Sequence, residues 1–360
     1  MSTSIRAGTT DNALQVNGND VVKYNDTGII SGYSNFSIGR NLIVNGSCQV
    51  DQVNSGALLS PAVGYDYLAD NFRMAFTQAG KFSAQKITTS LLSLGASNAL
   101  RHTVLSQFTP AVGDQFYLYC AIEGLNFAHL QWGTANAAPV SLQFKARASV
   151  AGTYSGSIKN NTSLRSYPFT FTLAANTDTQ VKIENIPGDT SGTWAIDNTA
   201  CVFISFDLGS GTTYKGTANA WASANYLGVS GVTNLVSQVN GSTLDISDVQ
   251  LEKGSFCTTF ERKLYDQVLR ECQRYYEIGS TYNIWNGNTT STFTYYLSIP
   301  YKTSKRASAS ITTVDVGNSG FPAGNPTGTG NSNEIQFYKV SNATASSSYF
   351  QFSWIANARL

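Results

Sequence analysis

From Asn41 to about Phe260, apolar and polar residues alternate in short runs separated by turn residues. In Val140–Arg147, Leu142, Phe144 and Ala146 fall on one side and Gln143, Lys145 and Arg147 on the other. That period of two marks a half-buried antiparallel strand. Gln115–Ile122, Phe169–Leu173, Gln180–Ile183 and Cys201–Phe206 read as further strands. No long helical period interrupts them, which excludes βαβ architectures and predicts an all-β jelly-roll β-sandwich with elaborated loops. The period changes once. Leu264, Val268, Cys272, Tyr275 and Tyr276 recur at helical spacing, with Lys263, Arg270, Glu271 and Arg274 between them, predicting one short amphipathic helix. Thr258, three residues before Glu261 as in a capping box, and Asp266 are both suitable N-caps. A strand at Val249–Glu252, closed by Lys253-Gly254, precedes it.

The flanks differ from this middle. Residues 1–40 are short of apolar side chains and cannot bury enough surface to fold alone. Ala13–Gly18 and Val21–Tyr24 are strand-like pieces around an Asn-Gly turn signal. They fit an extended N-terminal attachment or stalk segment that orders against other copies or a larger particle. After the helix, residues 279–360 form a smaller C-terminal β-sandwich domain, with strands at Phe293–Ile299, Ala307–Val316 and Tyr349–Trp354. Gly317–Gly328 reads as a long loop too polar for a core. A domain this small is marginal alone. The predicted order is segment 1–40, jelly roll 41–260, connecting helix 261–278 and distal β domain 279–360.

Charge removes several function classes. Lys plus Arg number 23 and Asp plus Glu 22 in 360 residues, and charged residues are only 12% of the chain, against roughly 25% in ordinary globular domains. Without a basic run there is no electrostatic footprint for nucleic acid. Such a surface of hydroxyls, amides and aromatics suits neutral glycans or subunit contacts. Cys48, Cys120, Cys201, Cys257 and Cys272 show no metal spacing and read as free, mostly buried thiols of a reducing compartment. The first residues lack the apolar core of a signal peptide, and no run approaches the roughly 18 apolar residues of a membrane span.

Catalytic chemistry is thin. His102 and His129 stand in no metal-binding spacing, no nucleophile elbow occurs, and Gly209-Ser210-Gly211 lacks the helix and Lys of a phosphate loop. A carboxylate pair for glycoside hydrolysis would come from Asp66, Asp70, Glu123, Asp207, Asp245, Asp248 and Glu252. Asp248 and Glu252 read rather as hydrogen-bond acceptors that orient a turn. Binding is easier to build, with 19 Tyr, 19 Phe and five Trp. Trp194 and Trp221 sit near turns of the jelly roll, where each is a core residue or a sugar platform. Tyr282 and Trp285 lie in the Asn-rich stretch Tyr282–Asn288 and are the first candidates for glycan contact. Leu264, Val268, Leu269 and Cys272 give the helix an apolar face that either covers the sandwich or meets its copies.

The run Val249-Gln250-Leu251-Glu252-Lys253-Gly254, then Phe260-Glu261-Arg262-Lys263 and finally Cys272-Gln273-Arg274-Tyr275-Tyr276, resembles the junction of phage tail-fibre and related virion receptor-binding proteins. There a carbohydrate-binding-module-like jelly roll passes into a short helix. Asn41–Gly46 resembles the module's first strand. Tyr67–Met74 is similar to its Y-x-A-D-R-W segment, with Asn71-Phe72 in place of Arg-Trp. Trp354–Leu360 looks like the closing strand of such fibres. The resemblance implies a non-enzymatic virion fibre that binds host-surface glycan, assembles as a homotrimer and joins other virion proteins through its N-terminal segment. The charge balance, the lack of a signal-peptide core and the lack of an apolar span add the expectations of synthesis in the host cytoplasm without export, no nucleic-acid partner and no membrane insertion. Related jelly rolls carry a structural calcium, although no residue here identifies itself as a ligand; no other cofactor is implied. A structural head fibre or decoration protein, and a polysaccharide-depolymerising tailspike, are the alternatives.

Overall fold

The computed structural model describes strands β1 (Ile5–Ala7), β2 (Ala13–Val16) and β3 (Asn19–Lys23) of the first 38 residues, and residues 39–360 apart from 89–90 and 281. The three strands form a small antiparallel sheet in the order β1-β2-β3. Most of the expected attachment segment lies outside the described residues.

The alternation from Asn41 onward becomes two facing sheets. Along the chain come β4 (Gly64–Ala69), β5 (Phe72–Phe76), β6 (Phe82–Ile87), β7 (Ala99–Val104) and β8 (Phe116–Glu123). A single helical turn, α1 (Gly124–Phe127), leads to β9 (Val140–Ala148), β10 (Gly152–Asn160), β11 (Ser166–Leu173), β12 (Thr179–Ile186) and β13 (Ala200–Asp207). Two-residue strands β14 (Lys215–Gly216) and β15 (Gly228–Val229) precede β16 (Thr243–Lys253). One sheet runs β11-β10-β13-β8-β5-β4 and the other β12-β9-β16-β7-β6. The chain crosses repeatedly between them, from β8 to β9 to β10 and from β11 to β12 to β13, which makes a jelly-roll β-sandwich. Phe72, Phe82, Phe116, Phe144, Phe169 and Phe206 are fully buried between the sheets. Each large aromatic removed from water contributes about 1.5–3 kcal/mol, so this interior dominates the stability of the chain.

Two motif segments differ from expectation. Asn41–Gly46 is not a regular strand: Asn41 bridges to β16, its side-chain amide donating to the Val249 carbonyl at 2.9 Å while its Oδ1 accepts from Leu251 N. Gly46 is needed there, because a Cβ would lie 2.1 Å from the Val249 carbonyl oxygen. Asn71 adopts φ 65° in the β4–β5 turn and donates to the Val44 carbonyl. Asparagine tolerates that left-handed conformation better than arginine does.

The helix is α2 (Tyr265–Gln273), and neither expected N-cap serves it. Leu264 occupies the cap position without a side-chain bond. Thr258 Oγ1 instead donates to Glu252, and the Glu261 carboxylate accepts from the backbone of Gly39 and Asn41.

Beyond it lie β17 (Tyr276–Ile278), β18 (Asn283–Thr289), β19 (Thr294–Pro300), β20 (Ser310–Ser319), β21 (Thr327–Gly330), β22 (Glu334–Val340) and β23 (Ala345–Asn357). β23 is central to one sheet, paired with β20 on one edge and with β17 and β18 on the other. The sheet β19-β22-β21 faces it and closes a second sandwich around Phe337, Phe350, Phe352 and Trp354. The stretch expected as a polar loop departs from expectation: its ends belong to β20 and β21, and Phe321 within it is buried in this second core.

Candidate functional site

Strand alternation gives the six-stranded sheet a second face, and cross-strand register sets what lies on it. One row reads Tyr65, Ala75, Tyr117, Asp207 and Ser155 across β4, β5, β8, β13 and β10. The next reads Tyr67, Arg73, Tyr119, Ser205 and Ser157, and a third brings Ala121, Phe203 and Lys159 together. Directly opposed side chains in such rows stand about 5 Å apart. Tyr117 and Tyr119 are 5.3 Å apart by ring centroids, and Phe203 meets Tyr119 edge-on at 5.5 Å. Tyr65, 62% exposed, stands edge-on to Tyr119 at 6.4 Å.

The segment joining β14 and β15 covers the end of this face that carries Tyr117 and Ser155. Leu227 is fully buried against Tyr117 and Tyr119, while Tyr226 N and Val229 N donate to Ser166 and Ser155. The other end stays open as a groove of about 210 Å³ that runs across the sheet from Tyr65 and Arg73 to Phe203 of β13 and Lys159 of β10, with Asn161 and Ser163 at its rim. A second groove of about 380 Å³ adjoins it across Tyr65, with Tyr67, Asp66, Asn54 and Arg359 among its lining. These sizes are below or near the low end of the roughly 300–1,000 Å³ that holds a drug-sized molecule, so each suits a short, partly exposed ligand.

Burial shapes the electrostatics. Tyr117 and Tyr119 have their phenols pushed far up by desolvation and stay neutral donors. The Arg73 guanidinium carbon stands 4.8 Å from the Tyr67 ring centroid and 5.2 Å from that of Tyr65. Lys159 is 5% exposed, donates to Asn225 Oδ1 at 2.8 Å, and is lowered by burial to about 8. A pKa unit corresponds to about 1.4 kcal/mol, so keeping this ammonium charged costs the fold a few kcal/mol.

The expected site residues are placed elsewhere and not together. Of the two readings open for Trp194 the structure takes core and rules out the glycan platform: it is 7% exposed, edge-on to Trp132 at 4.8 Å, with its indole donating to the Ser191 carbonyl. Trp221, half-buried, closes that cluster and donates to the Pro187 carbonyl. Trp285 is corrected. Alternation in β18 turns it inward, where it stacks on Phe350 at 5.8 Å and 6° and meets Tyr295 and Phe321. Tyr282 is 76% exposed with no ring partner among the described residues. Val268 and Cys272 are buried against Val50, with Leu269 and Val44 packed on them, so this helix face is spent within the chain and cannot meet copies. Leu264 alone of that set is exposed, at 81%.

The carboxylates considered for catalysis are engaged in the architecture, Asp66 excepted. Glu123, 1% exposed, accepts from Arg274 Nε and Nη2 at 2.9 and 2.6 Å and from Tyr275 OH at 2.7 Å. Asp248 holds Lys145 and Arg262, Asp245 pairs with Arg101, Asp207 with Lys215, and Asp70 with Gln52. Glu252 accepts from Thr258 N and Oγ1. All five cysteines are free, four of them buried. His102 is fully buried, held down to about 3 by desolvation, and neither ring nitrogen has a partner among the described residues. No cluster of three or more His, Cys, Asp or Glu side chains gathers among the described residues, so the structure names no ligand set for the calcium that the resemblance implies. No described helix is long and apolar enough to cross a membrane.

Gln115–Ile122 and Cys201–Phe206 read as strands from sequence without their faces being assigned, so the groove is not singled out there. The signal was present: β8 alternates Phe116, Leu118, Cys120 with Tyr117, Tyr119, so both of its faces are apolar or aromatic. A strand with one solvated face would carry polar residues at the second set.

No protein-family model matches the chain, and no curated protein matches it in sequence. Among solved structures, it is similar to the enzymatically active domain of tailspike protein 4 of bacteriophage CBA120, at 12% identity and a TM-score of 0.30. That match covers 60% of this chain and 22% of the tailspike chain, so it spans under a quarter of that protein's length. It is also similar to the carbohydrate-binding module TmCBM61 in complex with β-1,4-galactotriose, over 60% of this chain and 99% of that one, at 10% identity and a TM-score of 0.31. A family 11 carbohydrate-binding module from Clostridium thermocellum, in complex with a mixed-linked tetrasaccharide, matches 55% of this chain and all of its own, at 13% identity and a TM-score of 0.27.

Proposed function

We propose that the protein is a non-enzymatic glycan-binding fibre of a phage particle, with its receptor groove on the outer face of the jelly roll. The observation that carries the reading is the exposed ring of Tyr65 and the half-buried ring of Phe203, backed by the buried Tyr117 and Tyr119, beside the amide and hydroxyl of Asn161 and Ser163. A sugar ring presents C–H groups to aromatic faces, while its hydroxyls need donors and acceptors at the rim. Of the carboxylates considered for hydrolysis, all but Asp66 are tied to Arg, Lys, Thr or Gln partners. That leaves no second free carboxylate among them to complete a pair with Asp66, which supports binding over cleavage. The junction from Val249 to Tyr276 supports the fibre assignment. In this reading the N-terminal segment joins other virion proteins and the chain forms a homotrimer, with exposed Leu264 at a subunit contact. Three weak sites on one body give avidity that no single groove has.

The test is a glycan array and a host-cell binding assay on protein of known mass, with Tyr65→Ala beside the wild type. Saturable binding reduced at least tenfold in the variant is expected. Tyr65 is exposed, so its loss leaves the core intact. Undiminished binding by the variant would move the site off this groove. No binding by an assembled oligomer would favour the structural head-fibre or decoration role.

A further inference from the structure

The charges of the groove point to an anionic saccharide as its ligand, an inference that rests on the glycan-binding reading and narrows it. Arg73 and Lys159 are the charged residues of its lining, and no side-chain carboxylate lines it. Neither enters a salt bridge with an acidic side chain among the described residues. Asp207, on the same face of the sheet, is already paired with Lys215. Buried ammonium groups are ordinarily paired. Lys159 has three N–H donors and one neutral hydrogen-bond partner, Asn225. Arg73 donates at 3.3 Å to an oxygen of Leu360, whose terminal carboxyl group offsets part of its charge, and its Nε is buried without a partner among the described residues.

The two cations flank the platform. Arg73 lies 5.7 Å from the Tyr119 ring centroid and Lys159 5.6 Å from that of Tyr117, with those two rings side by side. Their strands, β5 and β10, are separated by β8 and β13, so their backbones stand about 14 Å apart. A saccharide lying in the groove above these buried rings, against Tyr65 and Phe203, therefore has a donor group at each end. An anion on the sugar restores to Lys159 the solvation that burial removed. A neutral sugar leaves that cost in place. The anion can be a uronate carboxylate or a sugar phosphate, since both accept from ammonium and guanidinium.

The experiment measures binding by calorimetry on the full chain at low ionic strength. The probes are a uronate oligosaccharide, its carboxyl-reduced neutral counterpart, a phosphate-bearing oligosaccharide and inorganic phosphate. We expect an anionic saccharide to bind at least tenfold more tightly than the neutral one, the margin shrinking with added salt. Lys159→Met and Arg73→Gln should each erase most of that margin, with Lys159→Met melting no lower than wild type. The tighter of the two anionic saccharides identifies the source of the charge. Equal binding of the neutral counterpart, or a margin that survives in Lys159→Met, overturns the inference and leaves the glycan reading standing. Full competition by inorganic phosphate also overturns it, as a simple ion site. Binding of no saccharide at all overturns both.

Discussion

In the larger sandwich every residue of β8 is buried, one set against the other sheet and the other beneath the groove and the β14–β15 segment. In the smaller, β18 and β19 alternate half-buried with exposed positions along nearly their whole length. The first sandwich is therefore insulated on both sides of its main sheet, while the second has a single apolar layer between two wet surfaces. Ile284, Tyr296, Val314 and Val316 remain exposed there. The smaller sandwich gains much of its hold from outside itself. Its entry strand, β17, follows the helix through Tyr275 and Tyr276, whose partners are in the larger one.

Equivalent truncations would put this contrast under test. Phe144→Ala and Phe352→Ala both remove fully buried rings and should each cost about 3–5 kcal/mol. Phe144→Ala should lower the melting of the whole chain. Phe352→Ala should melt only the C-terminal sandwich, seen by calorimetry as an early separate transition; a single shared transition in both would abolish the distinction. Next in size is Glu123→Ala, which strands the Arg274 guanidinium and the Tyr275 hydroxyl. About 3 kcal/mol is expected, at the low end for a broken buried pair because Arg274 is partly exposed. Its effect should fall on the coupling, splitting one melting transition into two.

Acid should act on the larger sandwich first. His102 is neutral in the folded state down to about 3, whereas the unfolded chain takes up its proton near 6.5. The unfolded state then binds more protons, so stability falls as pH drops from about 6.5 towards 3, by a few kcal/mol in all. His102→Leu should flatten that part of the pH–stability curve; an unchanged slope would show that carboxylates alone account for it. The smallest effect is expected from Lys159→Met. Its native pKa lies below the unfolded value, so wild type gains stability between about pH 8 and 10.5. The variant should lack that rise and match or slightly exceed wild type at neutral pH.

The sequence pattern placed Gln115–Ile122, Val140–Arg147 and Cys201–Phe206 within a residue of β8, β9 and β13 at each end. Phe169–Leu173, Gln180–Ile183 and Val249–Glu252, by contrast, are only parts of β11, β12 and β16, and β4 to β7 and β10 carry no comparably clear run. The same pattern hid the site. Tyr117, Tyr119 and Phe203 occupy outward positions that look apolar, and only the register of β4, β5, β8 and β13 brings them to Arg73. Trp285 misled for the opposite reason. Its asparagine-rich neighbours suggest a loop, yet Asn286 and Asn288 are outward positions of β18 and half-buried Asn283 shares the side of Trp285. The helix was legible as an apolar stripe but not by its occupant, since Val44 and Val50 lie far away in sequence. Its capping was unreadable because Thr258 and Glu261 are used by β16 and by residues 39–41 instead.

The Cys272–Tyr276 run has a mechanical consequence. Arg274 and Tyr275 grip Glu123 of one sandwich, and Lys305 of the other donates to the Gln273 carbonyl and to Glu277. Arg306 ties the carbonyls of Ala358 and Arg359 to that of Asn198. Arg359 is sandwiched between the rings of Tyr67 and Tyr276. A pull on one sandwich relative to the other would load these bonds in parallel, so that none fails before its neighbours share the strain. A tether built this way passes tension from one sandwich to the other without hinging.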